Sequence, residues 1–263
     1  IVVMRDPIQS LIDNESLKGQ VAIITGATRG IGKEMAIKLA KAGCNIVVAA
    51  KSIKNRKEIP GTIYTAAAEI ASHGVSAMPF QLDVRDDACI ARMVDATMQR
   101  FGRIDILINN AGALWWKNVT ETPMKRYDLI NDVNSRGSFS CTKAVLPHML
   151  KAKRGHIIVC SPPIDFRMLP GKVAYCISKF GMTMLARGLA MELKNKKSGV
   201  CINALWPVTI VESYASKNFG LGDSKYWRKA DILADAALML CSQNSMNPKV
   251  NGQELLDEDY LRS

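Results

Sequence analysis

A tyrosine and a lysine, Tyr175 and Lys179, stand four positions apart in a stretch of helical character, Ala174–Asn195. Residues with this spacing lie on one face of a helix, so the two side chains should be neighbours. The ammonium would lower the pKa of the phenol from about 10 towards neutral pH and would stabilise the tyrosinate. Such a pair can give a proton to a substrate oxygen that gains negative charge. A lone Tyr/Lys pair is also common on protein surfaces, so other motifs must support this interpretation.

A glycine-rich turn, Thr25–Gly32, follows a short apolar run and precedes a helical pattern. Gly26 permits a tight bend, Gly30 lets the backbone approach a phosphate, and Gly32 lets the helix pack closely on the strand. The first turn of the helix supplies free N–H groups and the positive end of its dipole. The turn therefore predicts a dinucleotide site, although a glycine-rich turn alone can be purely structural. The same turn contains Thr28, Arg29 and Ile31.

The end of the second apolar run predicts which dinucleotide is preferred. Sites selective for NAD usually place an acid there to bind the ribose 2′-hydroxyl. Here the residues are Ala49, Ala50, Lys51 and Ser52, and Arg29 lies in the turn nearby. Cations without a carboxylate would stabilise the additional 2′-phosphate. We therefore expect NADP(H), with NAD(H) as the second candidate; the alternative is that Lys51 only solvates the edge of a loop.

Short apolar runs alternate with helix-length segments along the chain, which predicts a doubly wound parallel α/β sheet covered by helices on both faces. The crossovers should be right-handed. Six strands are predicted: Val21–Thr25, Asn45–Ala50, Ala77–Leu82, Ile104–Asn109, His156–Cys160 and Val200–Leu205. The helical stretches between them include Lys33–Ala42, Ala88–Phe101 and Ala174–Asn195. The polar segment Lys51–Pro60 is expected to be an exposed loop.

Composition narrows the class of protein. The chain has 263 residues, 48% of them hydrophobic, which is enough for one domain (residues 17–263) after an N-terminal extension (residues 1–16). No apolar run reaches the roughly 18 residues that span a bilayer. The net charge of +11 is not concentrated in a basic stretch with interleaved aromatics, so no nucleic-acid partner is expected. The seven irregularly spaced cysteines indicate an intracellular, reducing compartment, and no metal site is predicted.

Four motifs in this order resemble those of the short-chain dehydrogenase/reductase family. They are Thr25–Gly32, Asp83-Val84, Asn109-Asn110-Ala111-Gly112 and Tyr175-Cys176-Ile177-Ser178-Lys179, and the resemblance covers about residues 17–255. It implies a single Rossmann-type domain and an oxidoreductase that moves a hydride between a nicotinamide and a carbonyl or alcohol. It also implies a homodimer or homotetramer formed through helices at about 88–101, 120–151 and 174–195.

The resemblance implies a role for each catalytic candidate. Tyr175 would be the general acid/base, and Lys179 would also bind the nicotinamide ribose. Ser161 would donate a hydrogen bond to the substrate oxygen, with Pro162-Pro163 stiffening the loop behind it. Asn134 would hold a water that links Lys179 to solvent. The alternatives are that Asn134 caps or kinks its helix, or that Asn131 takes the role.

The resemblance also implies the cofactor contacts. Ala111 and Gly112 would line the adenine ribose, beside Asn110, while Asp83 would accept from the adenine amino group with Val84 packed near it. Asp83 could instead be a turn residue. After the last predicted strand the family usually has Pro-Gly, but this chain has Pro207-Val208-Thr209. Thr209 would meet the carboxamide or phosphate.

Further stretches resemble a branch of that family, hydroxysteroid dehydrogenase-like protein 2. They are Gly61–Ala67, Ser161–Pro163, Ala204–Pro207 and Gly252–Leu261. Members of that branch often carry an additional sterol-carrier domain, and this chain is expected to be a single-domain relative or a shortened one. The branch implies a peroxisomal or mitochondrial location, with the cytoplasm as the alternative.

Three loops at the carboxyl ends of the strands should contact the substrate: Ala113–Val119, Pro162–Pro170 and Thr209–Arg228. Their large apolar residues favour a lipid, fatty acyl or steroid-like substrate, although half of them could simply pack a lid. These residues are Leu114, Trp115, Trp116, Phe166, Met168, Tyr214, Phe219 and Trp227. The other class of function is a non-catalytic NADP(H)-binding sensor or scaffold. Loss of Tyr or Lys would favour that class, and both are present.

Overall fold

A parallel sheet of seven strands forms the centre of the computed structural model, which describes residues 6–55, 60–194 and 196–263. The strands are β1 (Val21–Thr25), β2 (Asn45–Ala50), β3 (Ala77–Gln81), β4 (Ile106–Asn109), β5 (Gly155–Val159), β6 (Val200–Trp206) and β7 (Glu254–Leu256). Their order across the sheet is β3-β2-β1-β4-β5-β6-β7, and every neighbouring pair is parallel. Strand order reverses between β1 and β4, where doubly wound sheets open a crevice for a ligand.

Helices cover both faces of this sheet. They are α1 (Pro7–Asp13), α2 (Gly30–Lys41), α3 (Ile63–Ala71), α4 (Asp87–Phe101), α5 (Met124–Asn131), α6 (Gly137–Ala152), α7 (Val173–Leu193), α8 (Tyr214–Phe219), α9 (Asp231–Ser242) and α10 (Asp257–Arg262). Every residue of β1 and β5 is buried, because each strand has helices above and below it. The sequence-based prediction of the fold class is confirmed. Among the described residues, no helix has the length and apolar character needed to cross a bilayer.

Two apolar layers, one on each face of the sheet, hold the helices in place. Ile24 and Leu39 belong to the first, and Ile23 and Met182 to the second; all four side chains are fully buried. Ile23 and Ile24 are consecutive in β1, so their side chains point to opposite faces. Burying a large aliphatic side chain contributes about 1.5–3 kcal/mol, so both layers contribute to the same fold.

The predicted strand limits are accurate to two residues or better, and β1 and β2 match residue for residue. The strand missing from the prediction is β7, whose three residues, Glu254–Leu256, are too few for an alternating or continuous apolar pattern. The expected helix at 120–151 is interrupted, since α5 and α6 are joined by a π-helical turn, Asp132–Arg136. Within the predicted loop Lys51–Pro60, residues 56–59 lie outside the described residues.

The segment before β1 packs on the domain. Asp6 caps α1 through the backbone N–H of Ile8, at 2.9 Å. Ile8, Leu11 and Ile12 then pack against the same apolar layer as Leu39. The division of the chain at residues 16 and 17 stays a prediction.

Candidate active site

A cavity of about 500 Å³ opens at the carboxyl ends of β4, β5 and β6. Its wall includes Tyr175, Lys179, Asn110 and Gly112, so the structure brings the helical pair and the end of β4 together. Six more of the residues singled out from the sequence line it: Ile31, Leu114, Trp116, Met168, Pro207 and Thr209. A wall that is mainly apolar with a few convergent polar groups is typical of a small-molecule site.

Tyr175 and Lys179 lie in the first two turns of α7 and are both buried. The Nζ of Lys179 donates a hydrogen bond to the carbonyl oxygen of Cys160, at 2.7 Å, and lies 5.2 Å from the centre of the Trp206 ring. The ring of Tyr175 meets the ring of Trp116 edge-on, with 6.1 Å between centroids. Strand ends and helix thus fix both side chains on the cavity wall before any ligand arrives.

Burial governs the protonation of this pair. It raises the pKa of the Tyr175 phenol, and the neighbouring thiols of Cys176 and Cys160 add to the effect. Burial also lowers the pKa of Lys179 to about 8. The expected lowering of the phenol pKa by the ammonium is not found in this structure, because the loss of solvation disfavours the tyrosinate. At neutral pH the phenol is protonated, which is the form that donates a proton.

Ser161 does not face the cavity. It is fully buried, and its Oγ accepts a hydrogen bond at 2.9 Å from Thr183 Oγ1. Pro162, the next residue, lines the cavity in its place. The role predicted for Ser161, donating to a substrate oxygen, stays a prediction, because a hydroxyl that accepts from Thr183 keeps its own proton to donate. The contact with Thr183 could not be read from the sequence, because the two residues are separated by 22 positions and belong to different elements.

Asn134 lies in the π-helical turn and is completely buried. Its Oδ1 accepts from the backbone N–H of Ala113 at 2.7 Å, and its Nδ2 donates to the carbonyl oxygen of Ala113 at 3.0 Å and to Ser178 Oγ at 2.9 Å. It therefore ties the loop after β4 to α7, within the irregular turn that one alternative anticipated. Asn131 instead donates to the carbonyl oxygen of Tyr127 in its own helix, at 2.9 Å.

The glycine-rich turn is shaped by Asn110. The Nδ2 of Asn110 donates to the carbonyl oxygens of Thr25, at 2.9 Å, and of Gly26, at 3.3 Å. A Cβ at Gly32 would lie only 2.3 Å from that Nδ2. Gly26 and Gly30 have positive φ angles of 69° and 53°, which other residues adopt only with strain. The turn is therefore held against the end of β4 and α2 can begin directly beneath it.

Arg29 reaches across to the segment after β2. Its Nη2 donates to Ser52 Oγ at 3.0 Å and to the carbonyl oxygen of Gly61 at 2.8 Å, and its Nε donates to the carbonyl oxygen of Pro60 at 3.1 Å. It makes no side-chain capping bond to the start of α2. The guanidinium thus lies between the glycine-rich turn and the end of β2, as the sequence suggested.

Lys51 has an acidic neighbour that the sequence analysis did not anticipate. Its Nζ lies 3.1 Å from Asp83 Oδ2, and the same carboxylate binds Arg85 through Nε and Nη2. The side-chain hydrogen bond from Arg85 is the main reason why the pKa of Asp83 falls well below its usual range. Although Ala49–Ser52 contain no acid, Lys51 therefore has a carboxylate beside it, because β3 pairs with β2 and the residues after β3 bring Asp83 there.

The remaining predicted residues are cofactor contacts and residues of the substrate loops. Val84 is buried and packs on Gly137, where a Cβ would lie 2.8 Å from its Cγ2, and Thr28 is buried inside the turn. Ala111 donates its backbone N–H to Thr25 Oγ1 at 3.0 Å.

Of the substrate-loop residues, Phe166, Phe219 and Tyr214 are exposed. Trp227 is held by its own loop, because its Nε1 donates to the carbonyl oxygen of Leu221 at 2.7 Å.

The sequence analysis missed several residues of the wall, notably Lys172, Trp206 and Cys176. Lys172 precedes α7 and stands three positions before Tyr175, a helical spacing that could have indicated a shared face. Trp206 is the last residue of β6, one position beyond the predicted strand. Within the described ranges, no three His, Cys, Asp or Glu side chains are arranged to hold a metal ion.

Comparison with known proteins identifies relatives of nearly the whole chain. A family model described as short chain dehydrogenase matches residues 20–219. Hydroxysteroid dehydrogenase-like protein 2 of Bos taurus is 43% identical over 250 residues, which are 94% of this chain and 58% of that protein. The same protein of Homo sapiens is 42% identical, with the same two shares. The chain therefore spans less than two thirds of the length of these curated relatives.

Solved structures of dehydrogenases and oxidoreductases also resemble nearly the whole chain. A putative dehydrogenase from Xanthomonas campestris is 39% identical, with a TM-score of 0.88 over 94% of this chain and 90% of that chain. A metagenomic short-chain oxidoreductase crystallised in complex with NADP is 27% identical, with a TM-score of 0.74 over 92% of this chain and 99% of that chain. The likeness therefore extends over the sheet, the helices and the cavity-bearing loops.

Proposed function

The chain belongs to the short-chain dehydrogenase family, as its motifs predicted, and from that premise we propose that it transfers a hydride between NADP(H) and an apolar carbonyl or alcohol. The observation that carries this proposal is the placement of Tyr175 and Lys179 on the wall of one cavity beside the glycine-rich turn. The two side chains occupy successive turns of α7, so they would face a bound substrate from the same side.

The residues present fit a dinucleotide. A Cβ at Gly30 would meet only Ser213 Cβ, at 3.7 Å, so the turn has open space at the start of a twelve-residue helix. Gly26, Gly32 and Asn110 hold the backbone there, and the first N–H groups of α2 would bind the pyrophosphate. When bound, the cofactor supplies the hydride. The proposed contacts with the rest of it involve Thr28, Arg29, Ile31, Lys51, Asp83, Val84, Ala111, Gly112, Lys179, Pro207 and Thr209.

The chain's own residues would manage the proton and the charge. A buried, protonated Tyr175 donates its proton to the carbonyl oxygen as negative charge develops there, and regains it from solvent afterwards. The Lys179 ammonium, fixed by the carbonyl oxygen of Cys160, stabilises the negative charge and would hold the nicotinamide ribose. Asn134 positions the Ala113 loop and α7, and we retain its proposed place in a proton path from Lys179 to solvent.

The apolar wall supports an apolar substrate. Leu114, Met168 and Trp206 line the cavity together with Ile210 and Leu221, and they leave few polar groups to satisfy a hydrophilic molecule. A hydrocarbon chain gains roughly 0.8 kcal/mol for each methylene that it buries there. We therefore propose a lipid-like or fatty acyl chain next to the reacting carbon.

Cofactor preference can be tested on the two cations near the end of β2. Arg29→Ala combined with Lys51→Ala should weaken NADPH binding about 10- to 100-fold, because charge-assisted hydrogen bonds to the 2′-phosphate are lost. NADH affinity should change less than threefold. Fluorescence titration with each nucleotide gives both dissociation constants.

Lys54→Ala is the matched control for this experiment, because Lys54 is an exposed cation of the same loop. It should leave both affinities unchanged. The NADH titration also reports any damage to the turn, since Arg29 bonds to Gly61 and Ser52. Equal losses for NADPH and NADH would refute the assignment of these cations to the 2′-phosphate.

Self-association is proposed through one face of α7. Ile177, Met184 and Met191 are exposed and recur every seven positions, so they form a stripe on one side of the helix. Phe139 on α6 is exposed as well. A contiguous apolar surface of this kind favours an interface. The net charge of +11 is not concentrated in a basic stretch with interleaved aromatics, so we do not propose a nucleic-acid partner.

Met184→Asp should convert the proposed homodimer or homotetramer to smaller species, since a buried, unpaired carboxylate strongly disfavours an interface. Size-exclusion chromatography with light scattering measures the mass. Tyr64→Asp, a charge at an exposed aromatic of α3, is the control and should leave the mass unchanged. An unaltered mass in Met184→Asp would remove α7 from the interface.

A further inference from the structure

Two hydrogen-bond donors on the cavity wall have no acceptor in the part of the chain that the structure describes. The Nε1 of Trp116 is buried and has no hydrogen-bond partner among the described residues. The Nζ of Lys172 lies 4.5 Å from the centre of the same indole ring, and within the described ranges no carboxylate comes within 4.0 Å of it. Both residues line the cavity that contains Tyr175. A buried N–H beside an unpaired ammonium favours a ligand that supplies negative charge and acceptor oxygens.

Three cations in the predicted substrate loops are already paired. Arg167 binds Asp165 at 2.7 Å, Lys225 binds Asp223 at 3.0 Å, and Lys217 binds Glu212 at 2.6 Å. Lys179 donates to the carbonyl oxygen of Cys160. Lys172 differs from these cations because its described neighbour is an aromatic face, which leaves its three N–H donors available.

We propose that Lys172 and Trp116 form a subsite for a carboxylate, so that the substrates of this enzyme are apolar oxo acids or hydroxy acids. The inference rests on the proposed function, because it places the carboxylate next to the carbonyl that Tyr175 protonates. The Trp116 and Tyr175 rings are in edge contact, with centroids 6.1 Å apart. This contact places the proposed subsite beside Tyr175, as an oxo acid whose carbonyl carbon adjoins the carboxylate would require.

The remaining wall fits the rest of such a molecule. Leu114, Met168 and Leu221 offer apolar surface to an alkyl chain, and the two donors belong to the same wall. Because low-dielectric surroundings strengthen charge–charge attraction, one unpaired ammonium in this cavity can select an anion over a neutral ester. Lys172 would thus be a specificity-determining residue, acting on binding rather than on the proton transfer.

The test compares 2-oxooctanoate with its methyl ester, using the 263-residue chain with NADPH. In Lys172→Met the ratio of kcat/KM for the acid over the ester should fall roughly 10- to 100-fold, as expected for a lost charged hydrogen bond. Comparing this ratio between variants cancels the different intrinsic reactivities of the two carbonyls. In Trp116→Phe, which keeps an aromatic ring and removes the N–H, the ratio should fall roughly 3- to 10-fold.

Two variants serve as matched controls. Lys225→Met removes another lysine that lies over an aromatic ring, 4.7 Å from the Tyr226 centroid, outside the cavity wall. Trp115→Phe removes the neighbouring buried indole N–H; Trp115 lies in a predicted substrate loop but is not on the described cavity wall, and its ring packs under Arg126. Both should retain the ratio of the unmodified protein.

A cofactor phosphate is the other source of negative charge, and NADPH titration separates the two. The NADPH dissociation constant of Lys172→Met should equal that of the unmodified protein. A loss of NADPH affinity, or a ratio of acid to ester that stays within threefold, would overturn the carboxylate subsite.

Binding in the Tyr175→Phe background separates this inference from the proposed function. There 2-oxooctanoate should still bind more tightly than its methyl ester, and adding Lys172→Met should abolish that difference. If no substrate turns over but this binding difference is present, the proposed reaction fails while the subsite stands. If turnover is normal and the difference is absent, only the subsite fails.

Discussion

Tyr175→Phe is expected to abolish turnover while leaving the fold intact. The substitution removes one oxygen from a ring that packs among Ile130, Ala174 and Trp116, so the apolar contacts remain. The reacting oxygen would lose its proton donor, and general acid catalysis by a positioned side chain is worth roughly 10²- to 10⁴-fold. NADPH oxidation with a panel of aldehydes and ketones measures kcat, and thermal unfolding reports whether the fold persists.

Tyr127→Phe provides the matched control, because Tyr127 packs against the same apolar cluster and does not line the cavity in the described part of the chain. Its turnover should equal that of the unmodified protein. Tyr175→Phe should also bind NADPH normally, which separates loss of the acid from loss of the cofactor. Turnover within threefold of the unmodified protein would remove Tyr175 from the chemistry.

Lys179→Met should lower kcat/KM roughly 10- to 100-fold, because a charged hydrogen-bond donor is replaced by an apolar chain of similar length. The pH profile of the unmodified enzyme should also show that the rate depends on the Lys179 ammonium. Since burial lowers the pKa of Lys179 to about 8, the ammonium is present below that pH and is lost above it. Carbonyl reduction should therefore decline as the pH rises through about 8, and this limb should be missing in Lys179→Met.

Whereas the rate should fall as the pH rises above about 8, the contribution of Lys179 to the free energy of unfolding should increase. The unfolded chain binds the Lys179 proton more tightly, with a pKa near 10.5, than the folded chain does. The contribution of Lys179 to the free energy of unfolding therefore rises between about pH 8 and 10.5. Urea titrations of the unmodified protein and Lys179→Met at pH 7 and pH 9.5 isolate this contribution by difference. A falling difference would show that another group controls the alkaline limb.

The sequence predicted the strands and the glycine-rich turn well, for identifiable physical reasons. β1 and β2 are covered on both faces, so they read as continuous apolar runs. Gly26 and Gly30 occupy backbone conformations that few other residues tolerate. The position of Tyr175 relative to Lys179 follows from helical spacing alone.

Contacts between segments that are far apart in the sequence could not be predicted from apolar runs, glycine positions or helical spacing. Ser161 is fully buried, and its Oγ accepts a hydrogen bond from Thr183, which lies 22 positions away on α7. Asp83, just after β3, neutralises part of the charge of Lys51; this ion pair is worth at most about 1 kcal/mol because the Lys51 side chain is 62% exposed. The meeting of Trp116 with Lys172 likewise depends on the packing of a loop against the start of α7. Each of these contacts joins elements whose separation in sequence has no periodic signature.

A structure of the complex with NADPH and an unreactive substrate analogue would test the central claim most directly. We expect the Oη of Tyr175 within about 2.5–3.0 Å of the analogue oxygen that replaces the reacting carbonyl. The nicotinamide should lie on the other side of that carbon, above Lys179. An analogue oxygen bound elsewhere, or a Tyr175 side chain turned away from the nicotinamide, would contradict the account.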